Sequence, residues 1–167
     1  GKYVSGLFED GDTLQVGFGR FPIAVLSHLS DKRHLGIHTE LITDSIVELM
    51  KKGVIDNTRK TINPGKTVAT FCMGRNEAYA FLHDNPAFDF RTIDYTNDPL
   101  VIAKHDSMVA INSALEIDLT GQATAESIGT MSHSGVGGQA AFVRGAILAK
   151  GGKAIVTLQS TAASDVV

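Results

Sequence analysis

Glu40 closes an apolar run in "HLGIHTELITDS", residues 34–45, among Leu35, Ile37, Leu41 and Ile42. Such surroundings strip part of the water from a carboxylate and make it a stronger nucleophile or base. A structural role competes with that reading. Glu40 could cap the helix that follows, where acids are stabilised, or pair with Lys32 or Arg33. Two glycine-rich stretches could serve a nucleophilic carboxylate. "VGFGRFP" (16–22) leaves the amides around Gly17 and Gly19 uncovered after an apolar run, where they could donate to a developing oxyanion. "SGVGGQAAFVRG" (134–145) sets Gly135, Gly137 and Gly138 just before a helical pattern, presenting amides and a helix dipole to an anion or a carbonyl oxygen. The plainer alternatives are a tight turn for the first and a surface loop for the second.

Other chemistries fit less well. Pro22 replaces the third glycine of a G-x-G-x-x-G dinucleotide fingerprint, and no Gly-Lys-Ser/Thr ending makes the later loop a P-loop. His34, His38, His105 and His133 lack metal-ligand spacing such as H-E-x-x-H, so no metal is expected. The single cysteine, Cys72, reads as a small core residue, and neither it nor Ser134 sits in a nucleophile elbow. Asn97, in "TNDP", reads equally as part of an Asn-Asp-Pro turn or as a polar group for a ligand.

The elements that must position these residues alternate along the chain. "TLQVGFG" is strand-like and "PIAVLSHLSDK" helical, with Pro22 suited to a first helical turn. "LGIHTELI" reads as a second strand. Thr43 or Asp44 then caps "DSIVELMKKG", with Ile46, Val47, Leu49 and Met50 inward and Gly53 as the stop. "TVATFCMG" with "NEAYAFLHDN", and "FDFRTIDYT" with "DPLVIAKHD", give two more strand-helix pairs. "MVAINSALEIDLTGQATAESIG" alternates on both sides of Thr120-Gly121, which predicts a hairpin or meander. The later glycine loop opens a helix, and "KAIVTLQ" is a final strand. This order predicts an α/β fold, a mostly parallel open sheet with helices on both faces, with ligands gathering beyond the carboxyl ends of its strands.

With 167 residues, 43% of them hydrophobic and 20% charged, the chain is of single-domain size. Lysines and arginines number 15 against 18 acids, a formal charge of −3 with no basic stripe, so nucleic acid is not an expected partner. Nor is a membrane, since no apolar run approaches the roughly 20 residues of a spanning helix. The lone cysteine suits a reducing compartment, and a cytoplasmic location is expected. A start at Gly1 and an end directly after a strand-like run suggest a piece of a longer protein.

Taken in order, "DGDTLQVGFGRFPIAVL", "SDKRHLGIHTELITDSIVEL", "ATFCMG", "YTNDPLVIAKHDSMVAINSALEIDLTGQATAESIGT" and "SGVGGQAAFVRGA" resemble the acetyl-CoA hydrolase/transferase family of class I CoA-transferases. The resemblance covers nearly the whole chain. It implies a CoA-transferase-like fold of two α/β domains. Residues 1–167 would form most of the second, C-terminal domain, and the first domain and the end of the second would lie outside this chain.

The implied activity is transfer of coenzyme A between an acyl-CoA and a short-chain carboxylate such as acetate, butyrate or 4-hydroxybutyrate. It would proceed through a covalent glutamyl-CoA intermediate at Glu40. The family's oxyanion donors map onto Val16, Gly17 and Gly137, and its CoA and substrate contacts onto Gly19, Asn97, Gly135, Val136, Gly138 and Gln139. Coenzyme A and acyl-CoA enter as substrates, with no permanently bound cofactor, and the full-length protein is expected to be a homo-oligomer, a dimer. An acyl-CoA hydrolase using the same glutamate, or a non-catalytic CoA-binding module, are the alternatives, and the isolated piece should be almost inactive. Thr124, Met131, Ala140 and Gln159 stand where the family pattern has asparagine, arginine, aspartate and proline, and Phe18, Arg20 and Phe21 make the first loop bulky. These departures bear on acyl specificity.

Overall fold

The computed structural model describes residues 1–159. In chain order its elements are α1 (Lys2–Ser5), β1 (Thr13–Val16), α2 (Arg20–Leu26), β2 (Gly36–Ile37), β3 (Leu41–Ile42), α3 (Asp44–Lys51), β4 (Thr67–Ala69), β5 (Phe71–Cys72), α4 (Asn76–Leu82) and β6 (Phe88–Phe90). There follow α5 (Ile93–Thr96), α6 (Pro99–Ile102), β7 (Met108–Ser113), β8 (Glu116–Ile117), β9 (Ala123–Thr124), β10 (Ser127–Ile128), β11 (Met131–Ser132), α7 (Gln139–Leu148) and β12 (Lys153–Thr157). Strands β12, β7, β1 and β2 lie side by side, all parallel. A parallel bridge from His38 to Val68 carries the sheet on to the β4–β6 pair.

Alternation along β7 shows why both faces need helices. Val109 and Ile111 join Leu14, Val16, Leu26 and Ile46 in one apolar cluster, against α2 and α3. Met108 and Ala110 join Ile102, Phe142 and Ala146 in the other, against α6 and α7. Successive side chains of a strand point to opposite faces, and a parallel strand covered on both sides is apolar throughout. Helices α6 and α7 can approach closely because residue 145 is glycine, where a Cβ would overlap the Ile102 side chain. The expected meander between β7 and α7 consists of two antiparallel hairpins, β8–β9 and β10–β11. Asp118 ties the first turn by accepting from the amides of Thr120 (2.8 Å) and Gln122 (3.0 Å). Pro22 falls in the first turn of α2, and α3 ends at Lys51, just before Gly53.

Three segments differ from the sequence expectation, and in one of them, "FDFRTIDYT", the strand ends at Phe90 and a short helix, α5, begins at Ile93. "LGIHTELI" is not one strand but two, β2 and β3, separated by His38–Glu40, and "TVATFCMG" divides at Thr70 into β4 and β5. The breaks coincide because β3 and β5 pair with each other in a short parallel ladder of their own. Thr43 occupies the cap position of α3, but no side-chain capping bond forms there.

Polar groups are buried behind the break. Lys60 donates to the carbonyls of Ile37 (2.7 Å) and Lys66 (2.6 Å), and burial lowers its pKa to about 7. His38 and His105 are fully buried with ring centroids 4.7 Å apart. Burial, opposed by the Thr96 carbonyl and helped by Lys60, lowers His38 to about 4. Burial together with the charges of His38 and Lys60 lowers His105 to about 2. Both imidazoles are therefore neutral in the fold. The unfolded chain takes up protons below about pH 6.5 and the folded chain only nearer pH 4. Their contribution is thus full above about pH 6.5 and is lost as the pH falls toward 4. Urea unfolding is expected to show that loss, about 3 kcal/mol from His38. His105→Leu should remove only the His105 share of the loss and leave that of His38, since neither His105 nitrogen has a hydrogen-bond partner among the described residues to lose. A midpoint that does not change between pH 6.5 and 4 would contradict this account.

Candidate active site

Glu40 lies where the chain leaves one ladder and enters the next. Before it, the Thr39 amide donates to the Val68 carbonyl at 3.0 Å. The Thr39 hydroxyl receives the Val16 amide at 3.3 Å and donates to the Val16 carbonyl at 3.4 Å. A threonine there replaces the ladder bonds that β1 would otherwise lose as β2 ends. The carbonyl of Glu40 itself accepts from both Thr70 (3.0 Å) and Phe71 (3.1 Å) amides. The backbone of the carboxylate is thus tied to β1, β4 and β5, and its half-buried side chain projects into a cavity of about 560 Å³ beyond the strand ends.

No cation pairs with that carboxylate among the described residues, Lys32 and Arg33 included. It does not cap α3, whose first turn carries Asp44 instead. Its Oε2 accepts a 2.8 Å hydrogen bond from Asn97 Nδ2. "TNDP" therefore divides its duties: Asp98 caps α6 by accepting from the Leu100 amide at 2.8 Å, while Asn97 turns to Glu40. Gly138, at the start of α7, forms the third side. A Cβ there would overlap Glu40 Oε2 and lie 2.7 Å from Asn97 Nδ2, so only glycine admits the helix terminus so close to the pair.

Of the residues singled out in the sequence, Val16, Gly17, Gly135, Gly137, Gly138 and Gln139 line the cavity with Glu40. Asn97 reaches it through Glu40. Val136 is not part of the lining and is 83% exposed, and Gly19 is the cap residue of α2, packed toward Ser113. The donor assignment needs correction at the first loop. The Val16 amide is taken by Thr39 and the Gly17 amide by the Ile111 carbonyl at 2.8 Å, because β1 stays paired up to that point. The next amides, of Phe18 and Gly19, have no acceptor among the described residues, nor do those of Gly135, Val136, Gly137 and Gly138.

Sequence reasoning missed the reciprocal carboxamide pair Gln15–Asn112, two bonds of 3.0 Å on the cavity floor, and the aromatic rings of Phe71 and Phe142. Gln15 within the otherwise apolar "TLQVG" was the available signal. Cys72 packs half-buried against the core, where burial and Asp44 raise its thiol pKa. Thr124 and Met131 do not line the cavity: Thr124 bonds Ser127 Oγ at the start of the next hairpin and Met131 is exposed.

Known proteins share much of this sequence and its fold. The 4-hydroxybutyrate coenzyme A transferase of Clostridium kluyveri is 53% identical over 97% of this chain and 38% of its own length. The crystal structure of RipA from Yersinia pestis superposes with a TM-score of 0.91 at 46% identity, over 96% of this chain and 36% of that one. The 4-hydroxybutyrate CoA-transferase structure from Porphyromonas gingivalis gives a TM-score of 0.86 at 43% identity, over 96% and 38%. The chain thus spans little more than a third of the relatives that it matches. The family model for the acetyl-CoA hydrolase/transferase C-terminal domain matches residues 74–167, more than half of the sequence. This chain belongs to the acetyl-CoA hydrolase/transferase family.

Proposed function

We propose that residues 1–167 are most of the second domain of a two-domain CoA-transferase, and that Glu40 is its nucleophile. The observation that carries the reading is the carboxylate itself: half-buried, free of any cation among the described residues, and held by the Asn97 amide beside Gly138 in a cavity with open backbone amides. The names of the relatives support transfer to a carboxylate over hydrolysis.

In this reading a Glu40 oxygen attacks the thioester carbonyl. The carbon–sulfur bond breaks, CoA departs as thiolate, and an acyl-glutamyl anhydride remains. The thiolate then attacks the glutamyl carbonyl, releasing the donor acid as carboxylate and leaving a glutamyl-CoA thioester. An incoming short-chain carboxylate repeats the two steps in reverse and leaves as the new acyl-CoA. Bond energy is conserved throughout, so acyl-CoA and the acid are the only reactants. Each tetrahedral intermediate needs amide donors, and removing one such donor typically costs about 2.7–4 kcal/mol of transition-state stabilisation. That duty falls, in this reading, to the open amides of Phe18, Gly137 and Gly138 in the lining of the cavity.

Three outcomes are expected in the full-length protein. Glu40→Gln, nearly isosteric but not nucleophilic, should abolish CoA transfer while the melting temperature stays within a few degrees. Retention of more than a few per cent of activity would remove Glu40 from the mechanism. Borohydride should inactivate only after incubation with acyl-CoA, reducing a thioester on the peptide that contains Glu40. Equal inactivation without acyl-CoA would speak against the covalent adduct. Gly138→Ala should lower turnover at least about tenfold by displacing Glu40 from Asn97, as loss of one charge-assisted hydrogen bond implies. Wild-type turnover in this variant would show the close approach to be dispensable.

A further inference from the structure

Asn97 can help a carboxylate only if its carboxamide presents nitrogen rather than oxygen, and the backbone does not settle which. Asn97 closes α5, its amide bonded to the Ile93 carbonyl, and that leaves the side-chain rotation free. An ionised carboxylate only accepts, so Glu40 itself calls for Nδ2, and a chain of hydroxyls that the proposed chemistry does not use holds the other end of the carboxamide. The Thr96 hydroxyl donates to Asn97 Oδ1 at 3.0 Å. Its single proton being spent there, the 2.6 Å contact between Thr70 Oγ1 and Thr96 Oγ1 must run from Thr70 to Thr96. With Nδ2 facing Glu40 Oε2 at 2.8 Å, Asn97 Oδ1 thus has a hydroxyl donor of its own.

Both ends of the chain are anchored. Thr96 is fully buried, and its carbonyl receives the Nε2 proton of the neutral His38 at 2.9 Å. The amide of Thr70 donates to the backbone carbonyl of Glu40. The same threonine thus holds the Glu40 backbone and, through Thr96 and Asn97, orients the group that touches the Glu40 side chain.

We propose that Thr96, backed by Thr70, is a positioning residue for the carboxylate: its hydroxyl holds the Asn97 carboxamide by Oδ1 in the one rotation from which Nδ2 donates to Glu40. The proposal rests on Glu40 as nucleophile. Thr96→Val keeps the side-chain shape and removes the proton. Losing such an oriented hydrogen bond is expected to lower the rate of attack about tenfold to a hundredfold. Because the effect is on orientation rather than on CoA contacts, KM for acyl-CoA should hardly change.

The test is single-turnover formation of the CoA thioester on the Glu40 peptide, followed by mass spectrometry with acetyl-CoA in the full-length protein. It compares wild type with Thr96→Val, Thr96→Ser, Asn97→Ala and the Thr96→Val/Asn97→Ala double variant. Thr96→Ala replaces the valine variant if the latter does not fold. The expected result is a slow Thr96→Val, rescue by serine, and no additional loss from Thr96→Val once Asn97 is alanine. A merely structural role would slow both backgrounds equally, and that outcome, or a Thr96→Val at the wild-type rate, overturns the proposal with Glu40 intact. Failure of the wild type to form any adduct on the Glu40 peptide would overturn the nucleophile reading and this one with it.

Discussion

The hydrogen bond from Asn97 to Glu40 joins residues 57 positions apart and holds an anionic side chain with a neutral donor. A lysine or arginine in that place would have claimed the carboxylate lone pairs in an ion pair. A carboxamide orients the group without neutralising its charge. Hydrogen bonds to charged groups contribute about 1.5–3 kcal/mol, enough to choose one rotamer of a half-buried glutamate. For the bond to exist, three elements must converge: the strand break at residues 38–40, the α5–α6 turn, and the glycine that caps α7. Each depends on a different part of the fold.

The sheet meets the first requirement by changing partners. Up to Ile37 the chain runs beside β1, and from Leu41 it runs beside β5. Between them the backbone of Glu40 gives one carbonyl to two amides while Thr39 completes β1 with its hydroxyl. A regular strand would have pointed residues 38 and 40 to one face and residue 39 to the other, beneath the helices. The break instead lets residue 40 face the cavity at the strand ends, and the buried His38, His105 and Lys60 fill the volume behind it.

The glycine loops divide their duties in a way that their sequences conceal. Gly17 continues the pairing of β1 with β7, so its amide is unavailable, while the two residues after it carry open amides. Gly138 matters for the side chain that it lacks, whereas Gly135 and Gly137 line the cavity with amides that no acceptor among the described residues takes. A glycine-rich stretch can serve any of these ends, and composition cannot choose among them.

Periodicity and punctuation determined much by themselves. The alternation of apolar strands with helices, Pro22 in a first turn, the stop near Gly53 and the hairpin around Asp118–Gly121 all follow from local rules, since each depends on residues within a few positions of one another. The sequence likewise marked Glu40, because a carboxylate among Leu35, Ile37, Leu41 and Ile42 is conspicuous without any partner. Tertiary structure decided the rest: which amides remain open, which half of "TNDP" is a cap and which a ligand to Glu40, and the placing of Thr70, Thr96, Gln15 and Asn112. Gln15 and Asn112 lie 97 residues apart, and Thr70 and Thr96 lie 26 apart. Hydrogen bonds across such separations leave no periodic trace in a sequence. They exist only when the sheet order has brought strand ends together, and that order is set by packing of the whole core.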